Sequence, residues 1–141
     1  MAPMTKDLTP VRFDPDAHYG TVAAWWGGHD WPVIPLEALP PVGIIVGDYA
    51  AGWLYKTESC PWSILEWLVT NPMHSSTGIS RETHKAVNIV VETLLRTAQA
   101  MGCKWVFSST KSTGLIKIYN NHGFETTDHD MTNLIINLES Q

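Results

Sequence analysis

The sequence predicts an α/β (α+β) fold, a mostly antiparallel sheet carrying one parallel βαβ unit. Three observations predict it. Short β-branched and aromatic runs recur along the chain, bounded by Gly, Pro, Asn or Asp. After Ser80, apolar residues keep helical spacing at Ala86, Val87, Val90, Val91, Leu94, Leu95, Ala98 and Met101. That helix separates two strand-like runs, WSILEWLVT and KWVFSS, an order that returns the second strand parallel to the first.

The elements follow in order. Residues 9–14 (TPVRFD) form a first short strand. A helix runs from Asp16 to Trp26 and is ended by Gly27 and Gly28. Residues 32–41 are broken by prolines and hold one helical turn. VGIIVGD (42–48) and AGWLYKTE (51–58) flank a short turn as a hairpin. WSILEWLVT (62–70) is apolar on both faces, with Glu66 its only charge, and is expected to be central. Asn71 and Pro72 stop it, and MHSSTGIS (73–80) is a polar loop. Ser80 caps the long helix and Gly102 ends it. KWVFSS (104–109) is a strand, and STGLIKIYNN (112–121) a short helix closed by Gly123. FETTD (124–128) and MTNLIINL (131–138) are two last strands around His129 and Asp130. No internal repeat or linker interrupts the 141 residues, so the chain reads as one domain, 1–141.

Hydrophobic content of 44% against 16% charged residues provides for a packed core and excludes disorder. No apolar run reaches the roughly 18 residues of a membrane span. MAPMTKDLTP lacks the basic-then-apolar pattern of a signal peptide. Cys60 and Cys103 are too few for a disulfide framework, and Cys103 reads as a small core residue. The six histidines form no metal-binding pair, so no metal is expected. A reduced, cytoplasmic protein is the expectation.

The net charge of −5 argues against a general nucleic-acid binder. It is unevenly spread. Residues 1–80 carry −5 and residues 81–117 carry +4, from Arg81, Lys85, Arg96, Lys104, Lys111 and Lys117 against Glu82 and Glu92. From residue 118 on there are four acids and no Lys or Arg. The basic middle suits a phosphorylated cofactor and the acidic remainder a cationic amine, although ordinary solvated faces give the same pattern.

Two stretches carry a family resemblance. STGLIKIYNNHGF resembles the GNAT superfamily pattern of a polar residue, a short helix, a tyrosine and then Gly-Phe: Ser112, Tyr119, Gly123 and Phe124. ILEWLVTNP, with the loop and amphipathic helix behind it, resembles that family's central strand and pyrophosphate loop. AAGWLYKTES with LEWLVTNP also looks like small acetyltransferase-like proteins of tailed bacteriophages, which would place the chain in a host cytoplasm.

The resemblance implies a GNAT-like fold, with a splayed sheet and helices on both faces. It implies an N-acyltransferase that uses acetyl-CoA as co-substrate and a primary amine of a small molecule or protein as acceptor. The backbone of Leu68, Val69 and Thr70 would hold the pantetheine arm, and Tyr119 would protonate the departing sulfur. The family's loop glycines are missing from RETHKAV (81–87), where Arg81, His84 and Lys85 are the basic groups available to a pyrophosphate. Ser112 stands where many members carry a cofactor-binding Asn. Two other functions fit the same resemblance. One is an inactive binding module of phage origin that docks on a host protein, with the first helix's tryptophans as its surface. The other is a phage enzyme that modifies a nucleobase.

Among the residues themselves, Glu66 is a carboxylate in an apolar strand. Burial raises a carboxyl pKa, which suits a general base, and a pairing with Lys is the plainer role. Ser108 and Ser109 stand at a strand end, where they bind ligand or cap the strand. Seven tryptophans either pack between layers or wall a pocket for a flat substrate. The uncharged MTNLIINL strand offers an edge for a second copy of the chain.

Overall fold

Strand-forming runs between residues 10 and 70 organise the first of two units, the chain dividing after Lys111. The computed structural model describes residues 7–74 and 80–140. Five strands of this unit lie side by side in chain order: β1 (Pro10–Arg12), β2 (Val42–Val46), β3 (Ala50–Lys56), β4 (Trp62–Thr70) and β5 (Trp105–Phe107). The first four pair antiparallel, and β4 pairs parallel with β5. The parallel pair arises because α2 (Arg81–Ala100) carries the chain from the end of β4 back to the start of β5. The α/β fold with one parallel pair is thus the predicted one.

Both faces of the sheet are covered. On one, Val22, Trp25 and Trp26 of α1 (Pro15–Gly28) join Phe13, Ile45, Ala51, Trp53 and Val69 in a single core. Trp53 lies at its centre, fully buried, edge-on to Phe13 at 5.1 Å and tilted against Trp26 at 5.5 Å. Successive residues of a strand point to opposite faces, so Gly52 faces the other layer. There α2 buries Ala86, Val87, Val90, Val91, Leu94 and Ala98. A Cβ placed on Gly52 would lie 2.9 Å from Val90 Cγ1 and 3.4 Å from Leu94 Cδ1, so α2 seats directly on the β3 backbone.

Several boundaries differ from expectation. The middle of the sheet is β3, whose residues Ala50 to Leu54 are all buried, and β4 lies one place nearer the edge. Helix α1 continues through Gly27 and Gly28, because the His29 N–H still reaches the Trp25 and Trp26 carbonyls, and Asp30 (φ 59°) makes the left-handed turn. The polar loop expected at 73–80 begins as a 3-10 turn, Pro72–His74, and its residues 75–79 lie outside the described residues.

In the second unit α3 (Thr113–Asn121) starts at Ser112, whose Oγ accepts the Leu115 N–H at 3.2 Å. Gly123 (φ 99°) follows its last turn, and the Phe124 N–H returns to the Tyr119 carbonyl at 3.0 Å. The two expected terminal strands do not form. Residues 124–137 are irregular, and Leu138–Ser140 is a 3-10 turn. An alternating pattern becomes a strand only against a partner ladder, and Leu134, Ile135 and Leu138 remain more than three-quarters exposed. Asn137 also bonds locally, accepting the Glu139 N–H at 3.0 Å.

The close seat of α2 on Gly52 yields a test. Gly52→Val forces side-chain volume into the α2 contact and should destabilise the protein by about 1–3 kcal/mol. A lowered urea midpoint with an unchanged slope is the expected result.

Candidate active site

The site begins with a mismatch between two strands. Across β3 and β4, Ala51 pairs with Val69 and Trp53 with Glu66, so Gly52 alone faces both Trp67 and Leu68. The extra residue is a β-bulge, and Trp67 absorbs it at a left-handed φ of 61°. Directly paired residues share a face, so Glu66 points to the α1 side with Trp53. Trp67 also packs against the α1-side core, and its Nε1–H donates to Tyr55 Oη at 2.6 Å. Tyr55 in turn donates to the Ala38 carbonyl at 2.6 Å. The bulge therefore sets two consecutive side chains, a carboxylate and an indole, on one face.

The opposite flank of β4 opens at the same level. Strand β5 pairs with β4 only from Trp62 to Ile64. Beyond that point the departing chain is held by side chains. Ser108 Oγ donates to the Leu65 carbonyl at 2.7 Å, and the Ser109 N–H donates to Glu66 Oε1 at 3.0 Å. Among the described residues, Leu65 to Thr70 thus run past the end of β5 without a strand beside them on that flank. This is a splayed sheet.

Glu66 is half-buried, and burial holds its carboxyl pKa above the usual carboxylate value, while the Ser109 N–H opposes the shift. Burial also raises the Tyr55 hydroxyl; the Trp67 bond lowers it and the nearby Glu66 charge raises it. A carboxyl of raised pKa beside an aromatic wall can accept a proton from an amine or hold a cation.

The remaining predicted residues of this unit fall into place around β4. Val69 is buried in the α1-side core, and Leu68 is turned towards the α2 side near Gly52. The Thr70 carbonyl bonds His29 Nε2 at 2.8 Å, tying the end of β4 to the end of α1. Arg81, His84 and Lys85 are exposed on the first turns of α2. Ser80 Oγ caps that helix by accepting the Thr83 N–H at 3.1 Å. In the second unit Tyr119 is buried, with its ring 4.8 Å from that of Phe124, and Ser112 is the cap of α3.

Some features escaped the sequence. His29, which the sequence marked only as lacking a metal-binding partner, bonds Thr70 and stacks on Trp31 at 4.2 Å. His74 bonds Asp48 at 3.1 Å and packs on Tyr49. Apart from Trp31, these partners lie far away in the chain, so no spacing announces them. Trp25 and Trp26 of the first helix are buried, so they form no docking surface; the exposed tryptophans are Trp31, Trp62 and Trp105. Cys103 is half-buried. Among the described residues no cluster of His, Cys, Asp and Glu could hold a metal ion, and no helix is long and apolar enough to cross a membrane.

No protein-family model and no curated protein sequence matches the chain. Solved structures do match. An acetyltransferase of Trypanosoma brucei superposes with a TM-score of 0.62 at 13% identity, covering 92% of this chain and 100% of its own. Glucosamine-6-phosphate N-acetyltransferase of Arabidopsis thaliana superposes at 0.62 with 12% identity, covering 92% and 99%. N-acetylglutamate synthase of Neisseria gonorrhoeae, in complex with coenzyme A and N-acetyl-glutamate, superposes at 0.61 with 14% identity, over 86% of this chain and 29% of its own. The likeness is one of fold: the chain has the α/β fold of the GNAT N-acetyltransferases.

Proposed function

We propose that the protein is an acyl-CoA-dependent N-acyltransferase that moves an acetyl group from acetyl-CoA to a primary amine in a ternary complex. The observation that carries this reading is the bulge at Trp67. It lies where β4 outruns β5, so a half-buried carboxylate stands beside a strand flank that has lost its ladder partner.

The donor supplies an activated thioester. The chain's own residues would do the rest. On the free flank, the backbone of Leu68, Val69 and Thr70 binds the pantetheine amides as an added strand would. The Thr70 carbonyl already has His29 as a partner, and Val69 alternates towards β3 as Asn71 does, which leaves more of this work to Leu68 and the Thr70 N–H. Arg81, His84 and Lys85, with the amides and dipole of the α2 start, face the pyrophosphate. They stand in for the missing loop glycines. Glu66 takes the proton of the attacking amine; the C–N bond forms as the C–S bond breaks, and Tyr119 protonates the sulfur. The chain's acidity suits a cationic acceptor. Its cellular setting in this reading is the cytoplasm, of a host cell if the protein is phage-encoded.

A second reading, a binding module without catalysis, is favoured by the glycine-free start of α2. A host protein would then be its partner. Nucleobase modification has less in its favour because the net charge is negative.

A thermal melt with acetyl-CoA or CoA separates the first two readings. At a hundred times its dissociation constant, a ligand stabilises by about 2.7 kcal/mol, several degrees for a domain of this size. The melting temperature should rise in both the wild type and Tyr119→Phe, while acetyl transfer by Tyr119→Phe falls roughly 10²-fold or more. An unchanged melting temperature at millimolar CoA would sink the acyltransferase reading.

Glu66 gives a second test, with the sign set by its raised pKa. The folded protein binds this proton more tightly than the unfolded chain does. The stability Glu66 contributes is therefore full below its unfolded value and declines as pH rises through the folded pKa. Glu66→Gln should melt higher than the wild type at pH 7 and lose that advantage in acid. Its acetyl transfer should fall by roughly 10²- to 10⁴-fold. A variant that is less stable at pH 7 and fully active would assign Glu66 to holding Ser109 alone.

A further inference from the structure

The open flank of β4 ends in a peptide unit that is fastened at both ends. Thr70 alternates away from β3, so its carbonyl points to the flank where β5 has already stopped pairing. There it lies 2.8 Å from His29 Nε2. A carbonyl can only accept, so Nε2 carries the proton and donates it. The N–H of the same peptide unit belongs to Asn71 and donates to the Tyr49 carbonyl at 2.9 Å, on the β3 side. Asn71 Nδ2 adds a bond to the Asp48 carbonyl at 3.0 Å. On a strand flank without a ladder, the Thr70 carbonyl would otherwise be left to water.

The end of α1 places the imidazole. A Cβ on Gly28 would lie 2.6 Å from Pro72 Cγ, so the helix end comes directly against the exit of β4. Asp30 then turns left-handed, and the Trp31 N–H returns to the Trp26 carbonyl at 2.9 Å. That turn lays the Trp31 indole over the His29 ring, 4.2 Å away and 16° from parallel. A ring held in this way loses little further freedom when it bonds Thr70.

We propose that His29 is a positioning residue for coenzyme A. Its N–H takes the place of a ladder partner at the Thr70 carbonyl. Fixing that peptide unit keeps the Thr70 N–H directed outward beside the groups of Leu68, in the extended geometry that an added strand requires. Without the imidazole the end of β4 has partners on the β3 side alone. It then frays, and ordering it again weakens binding. The inference rests on the acyltransferase reading, because it names what sets the affinity of this edge for that reading's co-substrate.

Calorimetric titration of the full chain with coenzyme A tests it. His29→Gln keeps an N–H donor near the place of Nε2 and loses the ring. His29→Phe keeps a ring to stack on Trp31 and loses the donor. Affinity should follow the donor: His29→Gln should bind within about threefold of the wild type, and His29→Phe roughly tenfold more weakly, as expected for one lost hydrogen bond. His29→Ala, which brings no new bulk, should bind as weakly as His29→Phe. In the free protein the Thr70 amide should exchange faster in His29→Phe than in His29→Gln, with the α2 amides alike in both. If His29→Phe or His29→Ala binds coenzyme A as tightly as the wild type, this inference falls and the acyltransferase reading stands. A loss shared equally by His29→Gln and His29→Phe would also overturn it, since the ring alone would then matter. Coenzyme A that fails to bind the wild type would remove both.

Discussion

Gly52 stands alone against Trp67 and Leu68, and the geometry of β4 depends on that two-against-one mismatch. A regular ladder would have turned Glu66 and Trp67 to opposite faces. The bulge turns both to the α1 side, where Trp67 is held by Tyr55. A non-glycine residue in the left-handed region costs of order 1–2 kcal/mol. Here a buried indole contact and a short hydrogen bond offset that cost. Gly52 serves both sides of the arrangement, since its missing side chain also lets α2 approach the sheet. The bulge and the α2 contact are thus fastened at a single residue.

The same strand explains why the sheet opens. Once β5 stops pairing at Ile64, the chain needs other partners for its backbone, and Ser108 and Glu66 provide them. Glu66 is then both a clasp for Ser109 and a half-buried carboxylate of raised pKa. The two roles are compatible, because a carboxylate has more acceptor positions than one N–H fills. In the proposed acyltransferase, the glycine-free start of α2 would move phosphate recognition from backbone to side chains. Arg81, His84 and Lys85 are exposed and can move to meet a ligand, at some cost in side-chain entropy on binding.

Much of this was legible in the sequence where local pattern and burial agree. The helical spacing from Ala86 to Met101, the Ser80 and Ser112 caps and the β2–β3 hairpin are all present. Glu66 was marked by its charge in an apolar run, and its raised pKa follows from burial. The failures share a cause. The terminal strands carried a sound alternating pattern, but a strand is defined by its partner, and no local signal reports one. His29 and Thr70 are 41 residues apart, so their contact belongs to the fold alone. The bulge position is equally hidden: nothing in LEWLVT distinguishes Trp67 from its neighbours until Gly52 is set against it.

The central claim is that the flank of β4 past Ile64 is a binding edge, and hydrogen exchange of its amides tests it most directly. With saturating acetyl-CoA, the amides of Leu68 and Thr70, which alternate away from β3, should exchange roughly tenfold or more slowly than in the free protein, and those on the β3 side of the sheet should change little. If exchange at Leu68 to Thr70 is the same with and without the ligand, the open flank is a structural irregularity and not a site.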